Sequence, residues 1–376
     1  MKRTLSLNNL FSFTAGLSHI RISKRIHTAG ILTLCVLSLI FSGCAQKKPR
    51  IYIHTSESDH ELINRICASN GLFPIEGQIP LYTETTDDKA QWVSMNISYG
   101  MPASQGWDSS LQQLDKELTA SGFTVSITQT EAAPPISKAV ITLYRKEMNI
   151  ASITVSQEIR ACIAIVIDDL GYNKKALNDA LAINRPITYA VLPHLAYSKR
   201  LAETFYTRGD LVILHQPMQP LKDMNPGPGA IYSDMTDDQV RKVLSENIAS
   251  LPHIAGVNNH MGSKITTDPQ KMRVVFRYLQ ESGYFFLDSV TEQNKCLELA
   301  DELNFPIYSR DVFLDNKYER EYISGQLDQL AKVAVNNGYA IGIGHFHPVT
   351  MQTIREKIPE LERAGIKLVY LNELPR

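Results

Sequence analysis

The sequence predicts an α/β protein, a small α+β domain followed by an irregular (β/α) barrel, and three observations carry that expectation. From about Ile159 onward, short apolar runs alternate strictly with helical patterns, as parallel strands joined by crossover helices require. Glycines at 209, 283, 338 and 365 follow the helical patterns as stop signals. Acids and histidines recur at the ends of the apolar runs, and in a barrel those strand ends share one face.

The chain has 376 residues, room for two domains, and a net charge of −1, which gives no electrostatic case for a nucleic-acid partner. Its first segment, residues 1–44, reads as a targeting signal. Lys2, Arg3, Arg21, Lys24 and Arg25 precede the apolar run Ile31–Phe41, which is shorter than the roughly 20 residues a spanning helix needs. Ser42 and Gly43 then lead into Cys44, an ending that resembles a bacterial lipoprotein signal, in which the cysteine is lipidated. An ordinary signal peptide or an uncleaved anchor are the alternatives. In each case the expectation is export to the cell envelope or periplasm; for the lipoprotein, a lipid anchor in a membrane. Residues 45–50 form a polar tether. Cys67, Cys162 and Cys296 match no metal-binding spacing and read as small buried apolar residues.

Residues 51–157 carry strand patterns at Ile51–His54, Val93–Tyr99, Phe123–Thr128, Val140–Tyr144 and Ile150–Val155. Two helices fit between them, Asp59–Ser69 and Ser109–Ser121, the second with Leu111, Leu114 and Leu118 on one face. Asp59, His60 and Glu61 are adjacent on a helix and do not face one another, so they make no metal site. This α+β domain is expected to serve spacing, docking or substrate contact.

Residues 158–376 are the expected barrel. Its strands are read at Ile163–Ile167, Ile187–Leu192, Leu211–Leu214, Ala255–Asn258, Tyr284–Leu287, Val312–Leu314, Ala340–Ile343 and Lys367–Leu371. Helices fill the gaps at Asn173–Ile183, Ser198–Thr207, Glu292–Leu303, Glu319–Asn337 and Met351–Arg363. Two more open on a capping box, Thr236 with Gln239, and on Asp268 before Pro269. The first strand ends abruptly at Asp168 and Asp169, and alternation along a strand predicts that these two acids point in different directions. His194, His215, Asn258, Asn259, His260, Asp288, Asp315 and His345 fall at the ends of later strands. A stiff loop, Asn225-Pro-Gly-Pro-Gly-Ala, lies on the same face.

Acids and histidines without a partnered serine or cysteine nucleophile point to a metal-activated water. Asp169, His215 and His260 offer the three ligands of a zinc-type catalytic site, Asp168 a base for the water, and His345 an acid for the leaving group. His194, Asn259 and Asp288 are candidates to support those histidines or touch substrate; Arg310 and Asp315 are expected to pair at the rim. His347, before Pro348, is expected to pack or cap.

Ile-Asp-Asp-Leu-Gly, Val-Leu-Pro-His, Leu-His-Gln-Pro-Met-Gln-Pro, Gly-Val-Asn-Asn-His-Met-Gly-Ser, Phe-Phe-Leu-Asp-Ser and Ile-Gly-His, in this order, resemble the divergent polysaccharide deacetylase family. The resemblance covers about residues 160–376 and implies an irregular (β/α) barrel that removes acetyl groups from chitin-like or peptidoglycan sugars with a divalent metal, zinc being the expected ion. By position it implies Asp168 as base, Asp169 and His215 as metal ligands and His345 as the late catalytic histidine. The ordinary deacetylases carry a second metal histidine four residues after the first; here that position is Gln219, and His260 is expected to take its place. Two functions from different classes remain: an exported metal-dependent hydrolase acting on acetylated envelope polysaccharide or peptidoglycan, and a carbohydrate-binding or envelope-assembly module on the same barrel that does no chemistry. Hydrolysis of another amide or ester is a third reading.

Overall fold

A ten-residue strand, β8 (Ala161–Leu170), sits at the centre of the larger of two sheets in the computed structural model, and the barrel is assembled around it. The structure describes residues 51–53, 57–75, 77–86, 90–133, 135–290 and 295–375. Residues 1–44, with Cys44, and the tether 45–50 lie outside them.

The first sheet comes from β1 (Ile51–Ile53), α1 (Glu57–Ser69), β2 (Phe73–Pro74), β3 (Leu81–Thr86), β4 (Ala90–Gly100), α2 (Trp107–Ala120), β5 (Thr124–Ala133), β6 (Ile136–Arg145) and β7 (Met148–Glu158). Its order is β1-β4-β7-β6-β5, with β2 and β3 also on β4. Both helices pack on one face, where Ile63, Cys67, Leu111, Leu114 and Leu118 meet Met95, Ile141 and Ile153. The leucine stripe of α2 is buried as its spacing requires. The short β2 and β3 were not legible as strands.

The chain then continues through α3 (Leu177–Leu181), β9 (Thr188–Val191), α4 (Ser198–Arg208), β10 (Leu211–Met218), α5 (Asp237–Ser250), β11 (Gly256–Met261), α6 (Pro269–Glu281) and β12 (Phe285–Asp288). It ends with α7 (Cys296–Leu303), β13 (Ile307–Ser309), β14 (Val312–Phe313), α8 (Arg320–Asn337), β15 (Tyr339–His345), α9 (Pro348–Arg363) and β16 (Ile366–Leu368). The strand order is β13-β12-β11-β10-β9-β8-β15-β14, with β16 on the lower part of β8, and each of these pairings is parallel. The two edges, β13 and β14, are separated in sequence only by Arg310 and Asp311, so the barrel is open along one seam. The Arg310 N–H reaches the Asp288 carbonyl at 3.1 Å and the Asp311 N–H the Ile341 carbonyl at 2.9 Å, tying that seam to both flanks.

Alternation gives the barrel two cores. Ile163, Ile165 and Ile167 of β8 enter the outer layer, against helix residues such as Phe276, Leu330 and Met351. Ala164 and Val166 face inward with Ala190, Ile213, Leu287, Ile341 and Ile343. Leu371 and Leu374 join that inner cluster, and the Leu371 N–H reaches Thr188 Oγ1 at 3.2 Å, so the chain end stops the N-terminal mouth of the barrel. The C-terminal mouth is left for polar residues.

The two sheets meet at Glu362, 3% exposed near the end of α9. Its carboxylate accepts from Ser104 Oγ and from Arg185, whose Nη2 lies 3.1 Å away, and its carbonyl accepts the Ala103 N–H at 3.3 Å. Among the described residues no helix is long and apolar enough to cross a membrane.

Candidate metal centre at the C-terminal mouth of the barrel

The inner phase of each strand decides which polar side chains enter the site. On β8 it continues from Ala164 and Val166 to Asp168, on β10 from Ile213 to His215, and on β15 from Ile343 to His345. On β11, Val257 is in the outer layer, so Asn258 and His260 face inward. Asp169 should by this rule point away. It does not, because the register of β8 against β9 shifts between Ile167 and Leu170 and Asp169 has a left-handed φ of 65°. Asp169 Oδ1 then lies 3.2 Å and Asp168 Oδ2 3.7 Å from the same atom, His215 Nε2. The expected divergence of the two acids is corrected by this bulge.

His215 Nε2, His260 Nδ1 and Asp169 Oδ1 form a near-equilateral triangle. His260 Nδ1 is 3.1 Å from His215 Nε2 and 3.0 Å from Asp169 Oδ1, and the third edge is the 3.2 Å already given. Among the described residues this is the group of three His, Cys, Asp or Glu side chains with the closeness a metal ion needs. A tetrahedral ion with bonds of about 2.0–2.2 Å sets its ligand atoms ~3.3–3.6 Å apart, so the triangle need only widen by a few tenths of an ångström. Asp169 Oδ1 is buried and meets no well-aligned donor, although two ring nitrogens crowd it. Three acceptor atoms turned toward one point fit a cation between them.

The electrostatics agree with that geometry. Burial pushes the Asp169 carboxyl up, but the His215 and His260 imidazoles beside it win and hold it well below the usual carboxylate range. Burial pulls the His215 imidazole down, and the Asp168 and Asp169 carboxylates outweigh this and raise it, so positive charge is favoured at this corner. Asp168, 4% exposed, goes the other way: burial raises its carboxyl, and the pull from His215, His345 and the Asn258 amide does not fully offset it.

His345 stands on the far side, with Nε2 3.9 Å from Asp169 Oδ2. Its Nδ1 lies 3.0 Å from Asp315 Oδ1, and Asp315 Oδ2 accepts the His345 N–H and the Thr350 hydroxyl, each at 2.7 Å. Burial lowers the His345 imidazole, and Asp315 more than reverses this, to about 9. The expected rim pair of Arg310 with Asp315 does not form. Arg310 instead donates from Nε and Nη2 to the Ser289 and Val290 carbonyls at 2.8 Å and lies over the Phe313 ring, because the open seam needs those carbonyls held.

His194, itself at φ 59°, has Nε2 2.8 Å from Asn247 Oδ1; Asn247 Nδ2 donates to Gln216 Oε1 and the Gly229 carbonyl, each at 2.8 Å. His194 therefore braces the proline–glycine loop rather than a site histidine. Asn259 falls on the outer phase, with Nδ2 donating to the Met261 carbonyl and Oδ1 accepting the Ser289 N–H. Asp288 is likewise outside the inner phase, since Leu287 faces inward, and its Oδ1 accepts the Val290 N–H at 2.9 Å. Gln219 uses Oε1 to accept the Ser233 N–H, so it is occupied in the loop. His347 precedes α9 and stacks on Tyr318 at 4.1 Å. Cys67 and Cys296 are buried and Cys162 half-buried; burial pushes the Cys67 thiol up to about 12, which suits an inert apolar role. Asn258 was legible as a polar residue at a strand end but was given no role, although its place two before His260 on a strand puts both on one face.

Comparison with known proteins agrees with the fold. The Escherichia coli protein YibQ is 32% identical over 200 residues, 53% of this chain, and this chain spans only 63% of that relative's length. A Haemophilus influenzae protein is 32% identical over 215 residues, 57% of this chain and 76% of its own. The crystal structure of ATU2773 from Agrobacterium tumefaciens superposes with a TM-score of 0.55 at 24% identity, covering 57% of this chain and 89% of that one, which shows a shared fold. The family described as divergent polysaccharide deacetylase matches residues 165–375, more than half of the sequence and the whole of the site, and the chain belongs to that family.

Proposed function

We propose that this chain is an exported, metal-dependent hydrolase that removes acetyl groups from an envelope polysaccharide or peptidoglycan. The observation that carries the reading is the triangle of Asp169 Oδ1, His215 Nε2 and His260 Nδ1, with Asp168 on one side and His345 on the other. Asp169, His215 and His260 would hold one divalent ion, and two imidazoles with one carboxylate suit zinc. Such an ion supplies a polarised acyl oxygen and a water whose pKa falls from 15.7 to about 7.

This chain's own groups do the rest. Asp168, buried and held by Asn258, accepts the water's proton at Oδ2, and its raised carboxyl makes it a stronger base than an exposed aspartate. His345, oriented by Asp315, presents Nε2 to return a proton to the departing sugar nitrogen or oxygen. Since Gln219 is engaged with Ser233, His260 stands in for the histidine expected at that position. Export and lipidation at Cys44 are part of the proposal and rest on residues 1–44 alone.

The test is metal content of the purified protein, followed by acetate release from acetylated chito-oligosaccharides and from peptidoglycan. Metal bound at one ion per chain with acetate released supports the enzyme. Metal bound, sugar bound and no acetate from any acetylated substrate assigns the barrel to carbohydrate binding or envelope assembly instead.

A further inference from the structure

Asn258 is fully buried on the inner phase of β11, and its amide has two dissimilar partners. Oδ1 lies 2.8 Å from His215 Nδ1, while Nδ2 donates to Asp168 Oδ1 at 2.8 Å and, less closely, to Ser289 Oγ at 3.3 Å. A carboxylate only accepts, so Asp168 decides which way round the amide stands. The oxygen end is then left facing His215, and an oxygen there can only accept the ring's N–H. His215 is thereby held as the Nδ1–H tautomer. Its Nε2 lone pair is the one turned toward Asp169 and His260.

We propose that Asn258 is the positioning residue that makes His215 a metal ligand, fixing its tautomer and ring plane with one end of the amide while the other end holds Asp168. The inference rests on the reading that Asp169, His215 and His260 bind a divalent ion. It adds that ligand and base are set by a single side chain, so neither can be reoriented alone.

The two ends can be separated by substitution on the full chain. Asn258→Leu is close in size and offers neither an acceptor nor a donor, whereas Asn258→Asp keeps an acceptor for His215 Nδ1–H, and its other oxygen, set against Asp168, shares one proton with that carboxylate in place of the amide donor. Zinc affinity, measured by competition with a chromophoric chelator, should fall about 10–100-fold in N258L, the usual loss for such a supporting partner, and recover to within about threefold of wild type in N258D. The cobalt(II) absorption spectrum should change shape in N258L and keep it in N258D. Where N258L does not fold by circular dichroism, N258A carries the same expectation. Wild-type zinc affinity in a folded N258L or N258A overturns the proposal, and so does an equal loss in N258L and N258D, because the acceptor would then not matter. A wild-type protein that binds neither zinc nor cobalt overturns the metal reading and this inference with it.

Discussion

Asp168 and Asp169 are neighbours in sequence and reach the same His215 nitrogen, so direction alone no longer separates their roles; distance and partners do. Asp169 Oδ1 sits 3.2 Å from His215 Nε2 and 3.0 Å from His260 Nδ1, whereas Asp168 Oδ2 stands back at 3.7 Å and its other oxygen is taken by Asn258. Asp169→Asn should therefore lose metal and activity together, as read by metal analysis. Asp168→Asn should keep about one equivalent of metal while turnover on a verified substrate falls by ~10²–10⁴, the usual worth of a general base. Equal metal loss from both would make both acids ligands and end this division of labour. His345→Ala belongs with Asp168→Asn, metal kept and rate lost, if its imidazole serves the leaving group. The residue types of the site were legible because histidines and acids at strand ends have few bland explanations. The bulge was not, since it is decided by how β8 pairs with β9 and not by any residue that marks it.

Among elements, the long and strongly patterned ones were read nearly to their ends: α5 does start at a capping box on Thr236, and α6 at Asp268 with Pro269 behind it. The errors lie in short pieces. Helix α3 covers only Leu177–Leu181 of the expected Asn173–Ile183, and β13, only three residues long and directly after Pro306, carries too little pattern to be noticed. The loop following β10 was seen as stiff, but what stiffens it is tertiary: Gln216, Asn247 and His194 in one chain of hydrogen bonds around Gly229. Gly229 has φ 72°, and a Cβ there would come within 2.2 Å of Asn247 Oδ1. Gly229→Ala should thus cost roughly 1–3 kcal/mol, seen as a lowered denaturant midpoint at unchanged slope. An unchanged midpoint would mean the loop is not pinned by this network.

For the molecule as a whole, the order of a small α+β sheet followed by a parallel barrel was legible, while the joint at Glu362 was not, because Ser104, Arg185 and Glu362 are far apart in sequence and look like ordinary surface residues. Export, proposed from residues 1–44, is tested at this scale too. Cys44→Ser is expected to release the protein from the membrane fraction or leave an unprocessed precursor, read by fractionation and mass; wild-type protein recovered in the cytoplasm would refute anchoring. The central place of β8 also dictates an order of events. It is the first barrel strand to be synthesised, yet it pairs along its length with β15 and at its base with β16, nearly the last. Contacts so distant along the chain form slowly and only after most of it is available. The paired aspartates are therefore made before His215, His260 and finally His345, so a chain released before residue 345 would carry both acids without the strand that ends in His345.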